Sequence, residues 1–148
     1  MKDRKTDALN ALVEDELSAV ETYRRALSRL GSDPEFEELR RIENEHERAL
    51  TLLQEELAER GEEPAHGGSA WGPWANAIEG AAALFGDEAA FRTLREGEEK
   101  SLRDYERALE DDDLDWKIKQ LISTSLLPSM RDHLAALDRC LEQRPKRH

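Results

Sequence analysis

The sequence predicts an all-α protein, a four-helix bundle folded as one domain over residues 1–148. Apolar residues recur in alternating steps of three and four, the spacing of helices that each bury one face. Alternation with a period of two is absent, and β-branched residues are scarce, so no segment is expected to form a strand. The chain is long enough to bury a single hydrophobic core.

The first two helices are predicted to form an antiparallel hairpin. The first should run from about residue 7 to residue 30 and stop at Gly31, a residue type common just after a helix end. The second should begin with Asp33 as its N-cap and Pro34 in its first turn, and stop at Gly61. Because so few residues connect them, the two helices must lie side by side in opposite directions.

The second half of the chain is predicted to form a matching hairpin after a long crossover. Residues 61–86 are rich in Gly, Pro and Glu around a short helix at about 74–84. The third helix should start at Asp87 as its N-cap and end near residue 110. The fourth should start in the acidic turn that follows, end before Pro145, and kink at Pro128, which lacks a backbone donor.

Composition narrows the expected partners and location. Charged residues make up 38% of the chain and the formal net charge is −12, which argues against binding nucleic acid or an anionic membrane. The single cysteine, Cys140, excludes an intrachain disulfide and favours a cytoplasmic location. We find no apolar signal sequence and no run approaching the roughly 20 apolar residues that span a bilayer.

Five side chains that can bind a metal interrupt the apolar stripes of the four helices. They are Glu16 in the first helix, Glu43 and His46 in the second, Glu98 in the third, and His133 in the fourth. A lone ionised carboxylate in a dry core costs several kcal/mol, so it requires a cation, a proton or a metal ion beside it. These positions are therefore the candidate functional residues.

An internal repeat connects these positions. Residues 14–27, EDELSAVETYRRAL, align without gaps with residues 96–109, EGEEKSLRDYERAL. This alignment pairs an inner Glu, and a Tyr seven residues later, in both copies: Glu16 with Glu98 and Tyr23 with Tyr105. Residues 43–50 align more weakly with 130–137 and pair His46 with His133. The chain is therefore interpreted as two similar helical hairpins.

The spacing matches a known ligand pattern except at one position. Di-iron and di-manganese carboxylate bundles take a Glu from each of two helices and a Glu-x-x-His from each of the other two. Residues three apart project from one helix face, so that Glu and His can reach one cation. The position three before His133 is Met130, and Asp132 points about 100° away around the helix. Carboxylate and imidazole ligands suit iron or manganese.

On these residues the chain resembles the ferritin-like superfamily over nearly its whole length. It resembles more closely a bacterial group of four-helix ferritin-like proteins of unknown function. The narrower resemblance rests on the segments VETYRRAL and LRDYERAL, a Gly-Glu-Glu-Pro turn after the second helix, and a crossover that carries tryptophans. The superfamily implies oxygen-activating or iron-oxidising chemistry where all six ligands are present; the narrower group implies no established activity. Met130 stands where the sixth ligand, usually a bridging carboxylate, would be.

The leading hypothesis is a ferritin-like bundle that binds iron or manganese. Its metal ligands would be Glu16, Glu43, His46, Glu98 and His133, and Fe(II) oxidation would be its activity if a two-metal site forms. Tyr23 and Tyr105 would donate hydrogen bonds to the glutamates, with Met130 beside the site. No small-molecule substrate is evident, and a homodimer with residues 71–85 at the contact is a further hypothesis.

The alternative is a non-enzymatic structural or interaction bundle whose metal site is degenerate at Met130. In that case Glu43 and His46 would form a buried hydrogen-bonded pair. Tyr23, Tyr105 or an arginine would hold Glu16 and Glu98. Met130 would fill the core, or join a histidine as a haem ligand, although no aromatic-lined cavity is evident from the sequence.

Overall fold

A computed structural model describes residues 4–30, 35–62, 80 and 86–143, and these residues are mainly helical. The elements in chain order are α1 (Arg4–Arg29), α2 (Phe36–Glu59), α3 (Asp87–Glu110), α4 (Trp116–Leu121), a π-helical segment (Ile122–Leu126) and α5 (Leu127–Gln143). The described part of the chain contains no strand, and the all-α prediction is confirmed. Within the same residues, no helix has the length and apolar character needed to cross a membrane.

The helices pack as two antiparallel hairpins. Helix α1 packs on α2 and α3 packs on α5, while α1 also contacts α3. Arg24 near the end of α1 pairs with Glu47 of α2, and Arg95 near the start of α3 pairs with Asp138 near the end of α5. The predicted helical bundle is therefore found. The predicted crossover helix and the proposed dimer contact lie outside the described residues, apart from Gly80, which is helical.

Helix α2 ends where the sequence predicts. The amide of Gly61 donates to the carbonyl of Ala58, and the amide of Glu62 donates to the carbonyl of Leu57. This pair of bonds requires a left-handed residue after the helix, and Gly61 has a φ of 77°. The glycine adopts that conformation without the steric cost that a side chain would add.

The predicted helix starts require correction. Helix α3 begins at Asp87 itself, and its N-cap is Gly86, whose φ of 88° favours glycine. Asp87 instead lies in the first turn, where a negative charge favours the helix dipole. Helix α2 begins at Phe36 with Glu35 as its N-cap, whereas Asp33 and Pro34 fall outside the described residues.

The last long helix is interrupted by the π-helical segment rather than by the proline alone. The amide of Leu127 donates to the carbonyl of Ile122, five residues back instead of four. Pro128 follows at once and has no amide hydrogen to contribute to this turn. The hydroxyls of Ser123 and Thr124 instead donate to the carbonyl of Gln120. The wider turn places Ile118, Ile122, Leu126 and Met130, each four residues apart, in the same core.

Two apolar clusters fill the bundle, one on either side of a polar layer. One cluster takes residues from the first half of α1, the second half of α2 and the segment from Leu114 to Met130. The other takes residues from the second half of α1, the start of α2, the start of α3 and the end of α5. Between them lie four buried polar residues: Glu16, His46, Glu98 and His133.

Candidate metal centre

The polar layer brings together four of the five predicted ligands, each from a different helix. Glu16 comes from α1, His46 from α2, Glu98 from α3 and His133 from α5. The two carboxylates are 1% and 2% exposed, and both imidazoles are fully buried. All four interrupt apolar stripes in the sequence, and the packing of those stripes turns them toward one another.

His46 lies between the two carboxylates. Its Nδ1 is 2.7 Å from Oε2 of Glu16, and its Nε2 is 2.6 Å from Oε1 of Glu98. An imidazole that donates from both nitrogens to carboxylates is protonated. Burial alone would lower the pKa of His46, but the charges of Glu98 and Glu16 raise it well above its usual range. The ring therefore carries the positive charge of the layer.

Two tyrosines hold the same carboxylates in a reciprocal arrangement. Tyr23 of α1 donates to Oε1 of Glu98 of α3 at 2.7 Å, and Tyr105 of α3 donates to Oε1 of Glu16 of α1 at 2.5 Å. Burial, followed by the charge of the adjacent carboxylate, raises the pKa of each phenol, so both remain donors. The tyrosine of each copy of the sequence repeat therefore donates to the glutamate of the other copy. These are tyrosine–glutamate hydrogen bonds of the kind expected from the sequence.

His133 contacts the layer from the opposite side. Its Nε2 is 2.8 Å from Oε1 of Glu45, and its Nδ1 is 3.4 Å from Oε2 of Glu98. Ser129 also donates to Glu45, at 3.1 Å. Burial opposes the ionisation of Glu45, yet the hydrogen bond from His133 lowers its pKa. Nε2 of His133 therefore pairs with Glu45, and Nδ1 is the ring nitrogen that faces Glu98.

Two buried atoms at the centre of the layer have no hydrogen-bond partner among the described residues. They are Nδ1 of His133 and Oε2 of Glu98, which face each other. An unpaired carboxylate oxygen and an unpaired imidazole nitrogen this deep in the core require a proton or a cation between them. One ligand atom from each of His46, Glu98 and His133 lies within 4.8 Å of the other two. The donor set therefore fits a metal ion.

The charge of the layer also favours a cation. Burial would raise the pKa of Glu98, but the positive charge of His46 and the interactions with His133 outweigh burial, and the pKa falls below its usual range. Among the described residues, the groups within hydrogen-bond or ion-pair distance of Glu16 and Glu98 are the two tyrosines and the two histidines. The two carboxylates of the layer together match the charge of one divalent cation.

Glu43 does not join this layer. Its Oε1 lies 3.4 Å from Nε of Arg24, and that arginine also binds Glu21 and Glu47. Burial and the nearby charge of Glu47 raise the pKa of Glu43. Although Glu43 lies one turn before His46 on the same helix face, its carboxylate belongs to an ion-pair group at the edge of the α1–α2 interface.

Met130 occupies the position of the sixth ligand and is fully buried. It belongs to the apolar cluster that contains Tyr105, Leu53 and Ile122. Helix α5 therefore supplies one candidate ligand, His133, where the complete pattern would supply two. No carboxylate from α5 enters the layer among the described residues.

Glu45 is a site residue that the ligand pattern does not reveal. It precedes His46 by one position and so lies off the inner stripe, yet it orients His133 from the neighbouring helix. Arg41 binds both Glu45, at 2.8 Å, and Asp132, at 3.0 Å. The guanidinium offsets part of the negative charge of the outer group formed by Glu45, Asp132 and His133, and Asp132 is exposed, so the fully buried inner group is the better candidate cation site. The only sequence signal is the alignment of acidic Glu45 with acidic Asp132.

Fold and site together define the class of this protein as a helical bundle with a buried carboxylate–histidine cluster. Residues 4–111, well over half of the chain, match the family described as Domain of unknown function (DUF2383), and the chain belongs to that family. The matched range contains Glu16, His46 and Glu98 and ends before His133. Comparisons with curated proteins and with solved structures found no match.

Proposed function

We propose that this protein is a ferritin-like bundle that binds one divalent transition-metal ion, iron or manganese, in its polar layer. The ligands are Nε2 of His46, a carboxylate oxygen of Glu98 and Nδ1 of His133. The observation that carries the proposal is the pair of buried, unpartnered atoms on Glu98 and His133, which lie beside His46. Two imidazoles and one carboxylate form a ligand set used for non-haem iron.

The outward nitrogens of both histidines are already held in the way that metal-binding histidines require. Glu16 accepts from Nδ1 of His46, and Glu45 accepts from Nε2 of His133. A carboxylate at the far nitrogen fixes the tautomer and the ring orientation, and it raises the basicity of the metal-facing nitrogen. Tyr105 in turn fixes Glu16, and Ser129 fixes Glu45. The inward nitrogens of both rings then face Glu98.

Binding requires His46 to give up one proton. Its Nε2 hydrogen, now directed at Glu98, must leave before that nitrogen can act as a ligand, whereas the Nδ1 hydrogen stays on Glu16. The exchange replaces the one positive charge of His46 with the two charges of the ion, which match the two carboxylates of the layer. A bound iron or manganese ion would supply redox chemistry at its open coordination positions.

The proposal is limited to a single ion. A two-metal centre in the expected pattern needs carboxylates at positions 43 and 130. Glu43 pairs with Arg24, and position 130 carries a methionine. The Fe(II) oxidation expected of a complete two-metal centre is therefore not part of the proposed function.

Counting bound ions in matched variants tests the proposal. Apoprotein would be dialysed anaerobically against Fe(II), and separately against Mn(II), and the metal per chain measured by elemental analysis. Over a series of free metal concentrations, we expect wild type and Glu43→Ala to saturate at one ion, and His133→Ala to need at least about tenfold more free metal for the same occupancy, since even the loss of an outer partner of a ligand costs about tenfold or more in affinity. Equal occupancy in wild type and His133→Ala would exclude the proposed ligand set. Two ions in wild type, lost in Glu43→Ala, would favour the two-metal pattern.

A second candidate is a structural bundle without metal, and the His46 geometry favours it. His46 already donates to both carboxylates, so this part of the layer is satisfied by protons alone. A second proton, on Nδ1 of His133, would complete the layer. In that case the midpoint of thermal unfolding would not change when Fe(II) or Mn(II) is added, whereas a metal that binds only the native state must raise it.

A further inference from the structure

A cavity of about 160 Å³ lies between α1 and α3 and extends to the polar layer. Its wall is built from small side chains on both helices: Ser18, Ala19 and Thr22 on α1, and Thr93, Gly97 and Ser101 on α3. Tyr23 and Glu98 also line it. A space of this size holds several waters or one small molecule. The α1–α3 interface is therefore incompletely filled beside Glu98.

The cavity is open at one end and ends on the buried site at the other. Tyr23 and Glu98 are 3% and 2% exposed and form its floor. The side chains of Asp15 and Lys100 also line it, and they are 32% and 47% exposed. These two residues therefore form its rim. Among the described residues, only residues of α1 and α3 line the cavity.

Charged side chains lie at both ends of the cavity. Lys100 binds Asp104 at 2.7 Å and lies 3.6 Å from Asp15, so one ammonium group faces two carboxylates at the rim. Glu98 adds a carboxylate at the floor. Burial and the hydrogen bond with Asp104 raise the pKa of Asp15 to about 7, and the ammonium group of Lys100 opposes the approach of a second cation at the rim.

We propose that divalent cations enter and leave the buried cluster through this cavity between α1 and α3, with Lys100 restricting entry at the rim. The inference rests on the proposed metal site, and it adds the path by which solvent ions reach Glu98. A fully buried ligand set otherwise requires the helices to separate before each exchange. Through the cavity, an ion would pass only the small side chains between the rim and the floor.

Gly97 offers a way to close the passage without weakening the helix. It lies within α3 and lines the cavity, so a leucine at this position would project from the wall. Leucine also favours a helix more than glycine does. Gly97→Ala is the matched control, because it gains helix propensity but adds little volume. Ser101→Leu closes the same cavity from the next turn of α3 and serves if the first variant folds poorly.

The experiment measures uptake and release rates separately. Co(II), which absorbs visible light when it binds imidazole, would be mixed with apoprotein in a stopped-flow instrument, and the loaded protein would then be mixed with excess EDTA. A block on the path raises the barrier in both directions. We therefore expect Gly97→Leu to slow Co(II) uptake and release equally, by about tenfold or more, so that its dissociation constant equals that of wild type. Gly97→Ala should keep both wild-type rates.

The rim is tested by removing its positive charge. Lys100→Met should raise the Co(II) uptake rate about twofold or more at low salt, and the gain should shrink as salt is added. Lys117→Met is the control. Lys117 also binds two carboxylates, those of Glu56 and Glu59, but it does not line the cavity. Equal acceleration in both variants would refute a role for the rim.

The outcomes separate the path from the site. If wild type and both leucine variants bind and release Co(II) at the same rates, the cavity is not the path, although the metal site stands. If the leucine variants change the dissociation constant without equal effects on the two rates, they act on the site and not on the path. If wild type forms no Co(II) band, the metal site itself is refuted, and the path with it.

Discussion

At the level of single side chains, His46 connects three helices: it belongs to α2 and contacts Glu16 of α1 and Glu98 of α3. Its charge lowers the pKa of Glu98 and so stabilises that carboxylate in a core that is otherwise apolar. The tyrosine hydroxyls add one donor to each carboxylate but no charge. Glu43, one turn earlier, instead contacts the half-exposed Arg24. The two neighbouring positions should therefore differ greatly in their contribution to stability.

Substitution of His46 in the metal-free protein tests this difference. His46→Ala leaves two buried carboxylates without their counter-charge, and we expect a loss of about 3–5 kcal/mol in the free energy of unfolding. Glu43→Ala, measured beside it by urea denaturation, should cost no more than about 1 kcal/mol because its partner is largely solvated. Similar losses in the two variants would contradict the assignment of charge to His46.

The pKa shifts predict how the stability of the metal-free protein depends on pH. The folded state raises the pKa of His46 above 6.5, so its contribution is complete below pH 6.5 and is lost as pH rises through the folded pKa. The folded state lowers the pKa of Glu98 below 4.5, so its contribution is present above pH 4.5 and is lost as pH falls through the folded pKa. Together they contribute most between pH 4.5 and 6.5.

Urea denaturation at a series of pH values measures this effect. The free energy of unfolding of wild type should fall between pH 6.5 and 9 relative to that of His46→Gln, which cannot gain or lose the proton. Parallel curves for the two proteins over that range would show that His46 keeps an unshifted pKa. Protein free of metal is needed, because a bound ion would replace the proton.

At the level of elements, the helix ends and the π-helical segment determine which faces meet. The apolar periodicity predicts the long helices because their buried faces repeat every three or four residues. The π-helical segment could not be predicted from that pattern. It adds about one residue to a helical turn, and this addition depends on how α4 and α5 pack on the same core. The N-cap of α3 is Gly86 and not the predicted Asp87, because a glycine with positive φ can precede a helix as readily as an aspartate can.

Asp115 links two elements and supports a prediction at this scale. Its carboxylate accepts from the amide of Ile118 at the start of α4, and it binds Arg60 at the end of α2 at 2.6 Å. Asp115→Ala should cost about 1–2 kcal/mol in the free energy of unfolding, since both contacts are lost. Asp115→Asn retains the cap and should cost less than half as much. The exposed neighbour Asp112, changed to Ala, is the control and should have little effect.

At the level of the whole molecule, a polar layer divides the core into two apolar clusters. Four of its residues, Glu16, His46, Glu98 and His133, could be identified from the sequence because each interrupts an apolar stripe at matching points of the repeat. The directions of the side chains could not be predicted from the sequence. The carboxylate of Glu43 turns to Arg24, while Glu45 reaches His133 from outside the apolar stripe. Such choices depend on the charges of neighbouring helices, which the spacing of one helix does not contain.

The most direct test of the proposed metal site is a crystal structure of protein loaded with Co(II), with anomalous data at the cobalt edge. We predict one anomalous peak in the polar layer, at about 2 Å from Nε2 of His46, Nδ1 of His133 and an oxygen of Glu98. His46 would then contact Glu16 through Nδ1 alone. The absence of a peak there, with His46 still bridging Glu16 and Glu98, would contradict the proposed site.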